Sequence, residues 1–253
     1  MIFLVGGSGL VGSGFARFLK KKKKKFKIIT SKNIHKFYNK KCDLLIDCNG
    51  NGSKRLANLN PKFDFEASVS SVFNRLINIR FKKYVYISTI YVYPKIEKKI
   101  STKENNQNFN NISFYGFNKL TAENYVKHFA KKYMIIRLPY IIGPGLKRNP
   151  AHDILKYKKT FYTLNSKLNW IHTDTIAKIV MKLIEKNLFN EIFNVASRNS
   201  ISIKNILKIC NIKEKDLLKT KKVKEVVIVN CEKLKKYIEL PNSFVELKKY
   251  FNP

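Results

Sequence analysis

Apolar positions follow two periods along this chain. Ile2–Val5 is a continuous apolar run, as in a strand buried on both faces. Gly6, Gly9 and Gly12 follow at three-residue spacing, and Leu10, Val11, Phe15, Phe18 and Leu19 then recur at helical intervals. Strand, tight turn and helix are expected, with the lysines of 20–25 ending the helix and turning into a second strand at 27–30. A third strand is read at 44–48, leaving room for little more than a helical turn between the two. Phe65, Val69, Val72, Phe73 and Leu76 make 63–79 helical, and 84–88 (YVYIS) is a fourth strand. A helix over 114–132 carries Leu120, Tyr125 and Phe129 on its apolar face. A fifth strand follows at 134–138, an amphipathic helix at 174–185 and a sixth strand at 192–195. Strands alternating with helices predict an α/β fold with a parallel, doubly wound sheet. The remaining residues read as a small C-terminal α/β cap: helix 203–210, strand 225–229, helix 231–237.

The 253 residues suffice for a full core, and a composition 44% hydrophobic and 13% aromatic is that of an ordered globular protein. No apolar run reaches the ~20 residues that span a bilayer, so no membrane partner is expected. The chain opens directly on a strand without a basic leader, which predicts a cytoplasmic location. Lys and Arg number 51 against 17 acids, a formal charge of +34. The excess is lysine spread over the whole length, without arginine–aromatic patches, so it reads as solvated surface and nucleic acid is not expected as a partner. Such a surface would still draw an anionic substrate. Cys42, Cys48, Cys210 and Cys231 form no C-x-x-C pair and no Cys/His cluster at zinc spacing, so no metal site is expected.

Two stretches point to chemistry. A glycine turn opening a helix lets backbone approach an anion and presents free N–H groups to it, which suits a dinucleotide pyrophosphate. A Walker loop is disfavoured, because no Gly-Lys-Ser/Thr follows. Tyr115 and Lys119 stand four apart at the start of a helix, hence on one face. The spacing occurs in surface helices too. Beside a cation, however, a phenol titrates lower and becomes a usable acid or base. The fourth strand ends in Ser88-Thr89, hydroxyls that can reach a reacting oxygen or merely form a turn.

Taken in order, Gly6-x-x-Gly9-x-x-Gly12, Ser88-Thr89-x-x-Val92-Tyr93 and Tyr115-x-x-x-Lys119 resemble the extended short-chain dehydrogenase/reductases, the NAD-dependent epimerase/dehydratase family of nucleotide-sugar enzymes. Arg137-Leu138-Pro139 to Gly143-Pro144-Gly145, the 170–174 segment WIHTD and the strand Phe193-Asn194-Val195-Ala196 continue the match over residues 1 to about 200. The resemblance implies a Rossmann domain of residues 1–139 plus about 170–197, and a shortened substrate cap of about 140–169 and 198–253. It implies Tyr115 as acid/base, Lys119 as the group that lowers its pKa and holds the ribose, and Thr89 as the catalytic hydroxyl. Cofactor contacts would be Gly6, Gly9, Leu10, Val11, Gly12, Ser31, Lys32, Asn49, Gly50, Tyr115, Lys119 and Leu138. Substrate contacts would be Tyr91, Tyr140, Lys147 and Arg148, with the two cations meeting a diphosphate. His172 is expected to be structural, and a homodimer fits the reading.

The departures from the family pattern narrow the reaction. Ile90 and Tyr91 stand where dehydratases carry Asp-Glu, so β-elimination lacks its acid and base. The second strand ends in Thr30-Ser31-Lys32 without a carboxylate to repel a 2′-phosphate, which favours NADP(H) while leaving NAD(H) compatible. Ser68 and Tyr140 replace asparagines usual in the family. The expectation is an NADP(H)-dependent reductase of a 4-keto nucleotide sugar. The alternatives are an epimerase with tightly bound NAD and a non-catalytic dinucleotide-binding regulator.

Overall fold

A computed structural model describes residues 1–106 and 110–251; the last two residues of the expected cap lie outside the described residues. In chain order, β1 (Ile2–Val5), α1 (Leu10–Lys21), β2 (Phe26–Ile29), β3 (Lys41–Asp47), α2 (Lys54–Leu59), α3 (Pro61–Phe65), α4 (Ser71–Asn78) and β4 (Arg80–Thr89) form the first half. Then come α5 (Phe114–Phe129), β5 (Tyr133–Leu138), β6 (Tyr140–Ile142), α6 (Pro150–Tyr157), β7 (Lys167–Leu168), β8 (Trp170–His172), α7 (Thr173–Glu185) and β9 (Glu191–Asn194). β10 (Ile201–Ser202), α8 (Ile203–Ile209), α9 (Glu232–Lys235) and α10 (Ser243–Phe251) complete the chain.

Six parallel strands make the central sheet in the order β2-β1-β3-β4-β5-β9. The chain leaves β1 for β2 on one side and returns past it to β3 on the other. The crevice at this reversal, outside the carboxyl ends of β1 and β3, is where α/β sheets bind ligands. Successive strand residues face opposite layers. Leu4, Ile46, Val85 and Met134 pack in one cluster with Phe15 and Leu19 of α1 and Ile176 and Val180 of α7. Phe3, Leu45, Tyr84 and Ile135 pack in the other with Val72 and Leu76 of α4 and Ala122 and Val126 of α5. The first cluster runs on into Trp170, Ile203, Leu207, Leu234 and Leu247, so the C-terminal elements share the core of the sheet's α1–α7 face.

Two buried ion pairs tie the sheet to its helices. Arg75 Nε of α4 meets Asp47 Oδ2 at 2.7 Å, and Tyr84 donates to the same oxygen. Arg137 reaches Glu123 of α5 through Nε at 3.0 Å and Nη2 at 2.6 Å, with Nη1 on Tyr93. Among the described residues no helix is long and apolar enough to cross a membrane.

Three local expectations are corrected. Residues 63–78 are helical but not one regular helix, since a π-helical turn over Glu66–Ser70 joins α3 to α4, and Ile79 is already extended. Tyr125 and Phe129 are exposed rather than core; Ala122 and Val126 cover the sheet, and the two rings stack on Phe73 at 5.4 and 5.7 Å. The stretch 225–229 is not a strand. It makes one bridge, Val226 to Lys167, and Ile228 donates to the Ile96 carbonyl, because the two-residue β7 and β10 offer no ladder to join.

Candidate active site

The glycine turn is built by close approach. Gly6 has φ +70°, and a Cβ on Gly12 would stand 2.1 Å from the Gly6 carbonyl oxygen, so no larger residue fits there with this backbone. α1 starts at Gly9 without a side-chain cap and without an acid in its first turn, leaving its N-terminal amides to an anion. Leu10 and Val11, half-buried, are its first residues. Gly6 N donates to the Ile29 carbonyl, so the exposed Ser31 and Lys32 follow the strand directly beside the turn. These features fit a dinucleotide pyrophosphate at this edge.

On the other side of the reversal lies the loop Asn49-Gly50-Asn51-Gly52. A Cβ on Gly50 would stand 2.7 Å from Lys119 Nζ, so Lys119 points from α5 into this loop. The buried Asp64 carboxylate fastens the arrangement. It accepts from Asn51 Nδ2 at 2.8 Å, from Asn118 Nδ2 at 2.7 Å and from Ser68 Oγ at 3.2 Å. Ser68 Oγ in turn accepts from Asn51 N, which gives a role to the serine that departs from the family pattern. The π-helical turn brings Asp64 and Ser68 under the loop, a placement that the helical period alone did not show.

Thr89 stands within hydrogen-bonding reach of Tyr115, and Lys119, one turn further along α5, turns its Nζ to the Gly50 loop. Ser113 caps α5 by accepting from Gly116 N, and the first two turns bury Tyr115 and Lys119 to 7% and 5% exposure. Burial pushes the Tyr115 phenol above its ordinary range, against a hydrogen bond from Thr89 that favours the phenolate. This corrects the expectation that Lys119 would lower it: desolvation dominates, and the nearby Asp64 carboxylate raises the phenol further. Burial also depresses the Lys119 ammonium to about 8, opposed by the nearby Asp47 and Asp64 carboxylates. Thr89 Oγ1 accepts from Tyr91 N, and Leu138 stands beside Thr89 in register on β5. Ser88 is used elsewhere: its hydroxyl donates to Glu123 at 2.5 Å within the Arg137 network.

A cleft of about 700 Å³ lies on the far side of Tyr91 from Tyr115, lined among others by Lys54, Tyr91, Ser113, Lys224 and Glu225. Tyr91 stacks edge-on against Tyr115 with centroids 6.3 Å apart. Its hydroxyl bonds Tyr140 at 3.0 Å and Glu225 at 2.9 Å; Tyr91 lines the cleft, and Tyr140 is tied to it through this bond. Lys147 and Arg148 do not line this cleft; they are exposed on the loop before α6. The cleft's cations are Lys54, whose Nζ lies 4.3 Å from the Tyr91 ring centroid, and Lys224. Lys54, Lys224, Glu225 and Tyr162 were not read from sequence. A lone acid in the lysine-rich stretch 219–226 was the signal for Glu225. His172 is structural: its Nδ1 accepts from Asp174 N and caps α7.

Solved structures share this architecture at low identity. An epimerase from Methanothermobacter thermautotrophicus is 15% identical, with 99% of this chain and 90% of that one covered and a TM-score of 0.86. A UDP-glucuronic acid 4-epimerase from Bacillus cereus, in complex with UDP-glucuronic acid and NAD, is 16% identical over 99% and 98% of the two chains, with a TM-score of 0.80. A dTDP-4-dehydrorhamnose reductase from Bacillus anthracis, in complex with NADP, is 18% identical over 99% and 98%, with a TM-score of 0.79. A search of curated proteins by sequence finds no match. The model of the NAD-dependent epimerase/dehydratase family matches residues 2–196, and the chain therefore belongs to that family.

Proposed function

We propose that the protein is a cytoplasmic, homodimeric, NADP(H)-dependent reductase of a 4-keto nucleotide sugar. The observation that carries this is the buried grouping of Thr89, Tyr115 and Lys119 beside the glycine turn, joined to the cleft by Tyr91, whose ring packs on Tyr115. The turn and the α1 amides would hold the pyrophosphate, Lys119 and the Gly50 loop a ribose, and Ser31 with Lys32 a 2′-phosphate. A nicotinamide dinucleotide bound there supplies the hydride that the keto carbon takes up. Tyr115 gives its phenolic proton to the carbonyl oxygen, which becomes the product hydroxyl. Burial favours the protonated phenol, the form that a reduction needs at its start. The Lys119 charge stabilises the phenolate left behind, and the Thr89 hydroxyl orients the carbonyl. Lys54 and Lys224 would meet the diphosphate.

A dehydratase is disfavoured, since Ile90 is buried and apolar and Tyr91 is bonded to Tyr140 and Glu225. An epimerase with retained NAD would use the same three residues, and the likeness to the two epimerases favours it as a second reading. Incubation of the purified protein with NADPH and dTDP-4-keto-6-deoxy sugars tests the choice. Net NADPH oxidation with a reduced sugar as product is expected. A dinucleotide that co-purifies in full equivalent, with interconversion of 4-epimers and no net oxidation, would establish the epimerase instead. Sedimentation tests the dimer.

A further inference from the structure

Glu225 is an acid placed with unusual care in a chain so rich in lysine. Its carboxylate accepts from Tyr91 at 2.9 Å and from Tyr140 at 2.6 Å, and the Tyr162 hydroxyl joins Tyr140 at 2.8 Å. Burial and this same carboxylate push all three phenols up, so they remain protonated donors. Its backbone is held as well: Glu225 N donates to Ser166 Oγ, and Lys167 N donates to the Glu225 carbonyl. The segment that carries it forms no regular strand, yet the carboxylate is fixed by three elements far apart in sequence. Its place is one ring from the chemistry. Tyr91 touches Glu225 through its hydroxyl and packs edge-on against Tyr115 through its ring. Lys54, Lys224 and Glu97 line the same cleft. Among the described residues no ion pair neutralises Glu225, and its side-chain hydrogen bonds go to phenols.

We propose that Glu225, held by Tyr91, Tyr140 and Tyr162, is the specificity-determining carboxylate of the sugar pocket: it rejects nucleotide sugars whose ring carries a carboxylate and accepts neutral or amino-substituted ones. The inference rests on the nucleotide-sugar reading above. A sugar whose keto carbon reaches Tyr115 must lie along Tyr91, which brings its ring substituents toward the carboxylate. A carboxylate still has lone pairs for a hydroxyl or ammonium donor. A second carboxylate placed against Glu225 meets a like charge that no ion pair among the described residues neutralises.

The test is calorimetric titration of the NADP⁺-loaded protein with UDP-glucose and UDP-glucuronate, or the same pair on dTDP. Because the two ligands share nucleotide and diphosphate, their ratio isolates the sugar. The wild type should bind the neutral sugar about tenfold or more tightly than the uronate. Glu225→Gln keeps the shape and one acceptor oxygen, and should bring the ratio to within about twofold, chiefly by tighter uronate binding. Glu225→Asp, which keeps the charge, should preserve discrimination. A merely structural role would weaken both ligands together and leave the ratio unchanged. A ratio near one in the wild type, or one that survives in Glu225→Gln, overturns the assignment of Glu225 and leaves the reductase reading standing. If neither ligand binds any of the proteins on either nucleotide, the nucleotide-sugar reading itself fails, and this inference with it.

Discussion

Replacing Lys119 by methionine should reshape the pH dependence of stability. Burial depresses the Lys119 ammonium from 10.5 to about 8. In the unfolded chain the same lysine keeps its proton to about pH 10.4. Between those two values the unfolded state binds more protons than the folded one, so this group makes the protein more stable as pH rises. The gap is about 2.5 pH units, worth about 3 kcal/mol in all. Lys119→Met has no such proton, so other titrations cancel in the difference between the two proteins. Urea denaturation of both, without dinucleotide, at several pH values from 7 to 10.5 measures it. The wild type should gain about 3 kcal/mol relative to Lys119→Met across that range. Turnover should move the other way, since the cation that supports the Tyr115 phenolate is lost above about pH 8. Parallel stability profiles would refute the burial argument for Lys119.

Other outcomes follow from the same geometry. Ser31→Asp should reverse a preference for NADPH over NADH through repulsion of the 2′-phosphate, read by titration with both cofactors. Glu123→Leu leaves the Arg137 guanidinium buried without its partner, and should cost about 3–5 kcal/mol in chemical denaturation. Arg148→Ala should leave nucleotide-sugar KM within about twofold, whereas Lys54→Ala should raise it about tenfold, as for a lost charged hydrogen bond.

Sequence and structure agree where the signal is local. The Ile2–Val5 run, the glycine spacing and the Tyr115–Lys119 pair depend only on neighbours within a turn or two, so strand, turn, helix and the shared face of Tyr115 and Lys119 were legible. His172 was expected to be structural, but that it caps α7 was seen only in the structure. The tyrosine–carboxylate cluster was not, because Tyr91 and Glu225 are 134 positions apart and no periodicity links them. Asp64 and Ser68 depend on a π-helical turn that shifts the helical phase by one residue, which a regular 3.6 period cannot express. Tyr125 and Phe129 look like core from their spacing, yet Ala122 and Val126 are the buried residues of that helix and the two rings pack on Phe73 of α4 instead. Lys147 and Arg148 follow the Gly-Pro-Gly turn, while the cleft is lined by Lys54 from the start of α2 and by Lys224, which only the folded chain brings together.

The central claim is that Tyr115 delivers a proton as a nicotinamide hydride reduces a 4-keto sugar. Its most direct measurement is NADPH oxidation on a dTDP-4-keto-6-deoxy sugar by wild type and Tyr115→Phe, with NADP⁺ affinity determined for both. The account predicts turnover at least about a hundredfold lower in Tyr115→Phe, the ordinary contribution of a general acid, with little change in NADP⁺ affinity. Near wild-type turnover by Tyr115→Phe would contradict it.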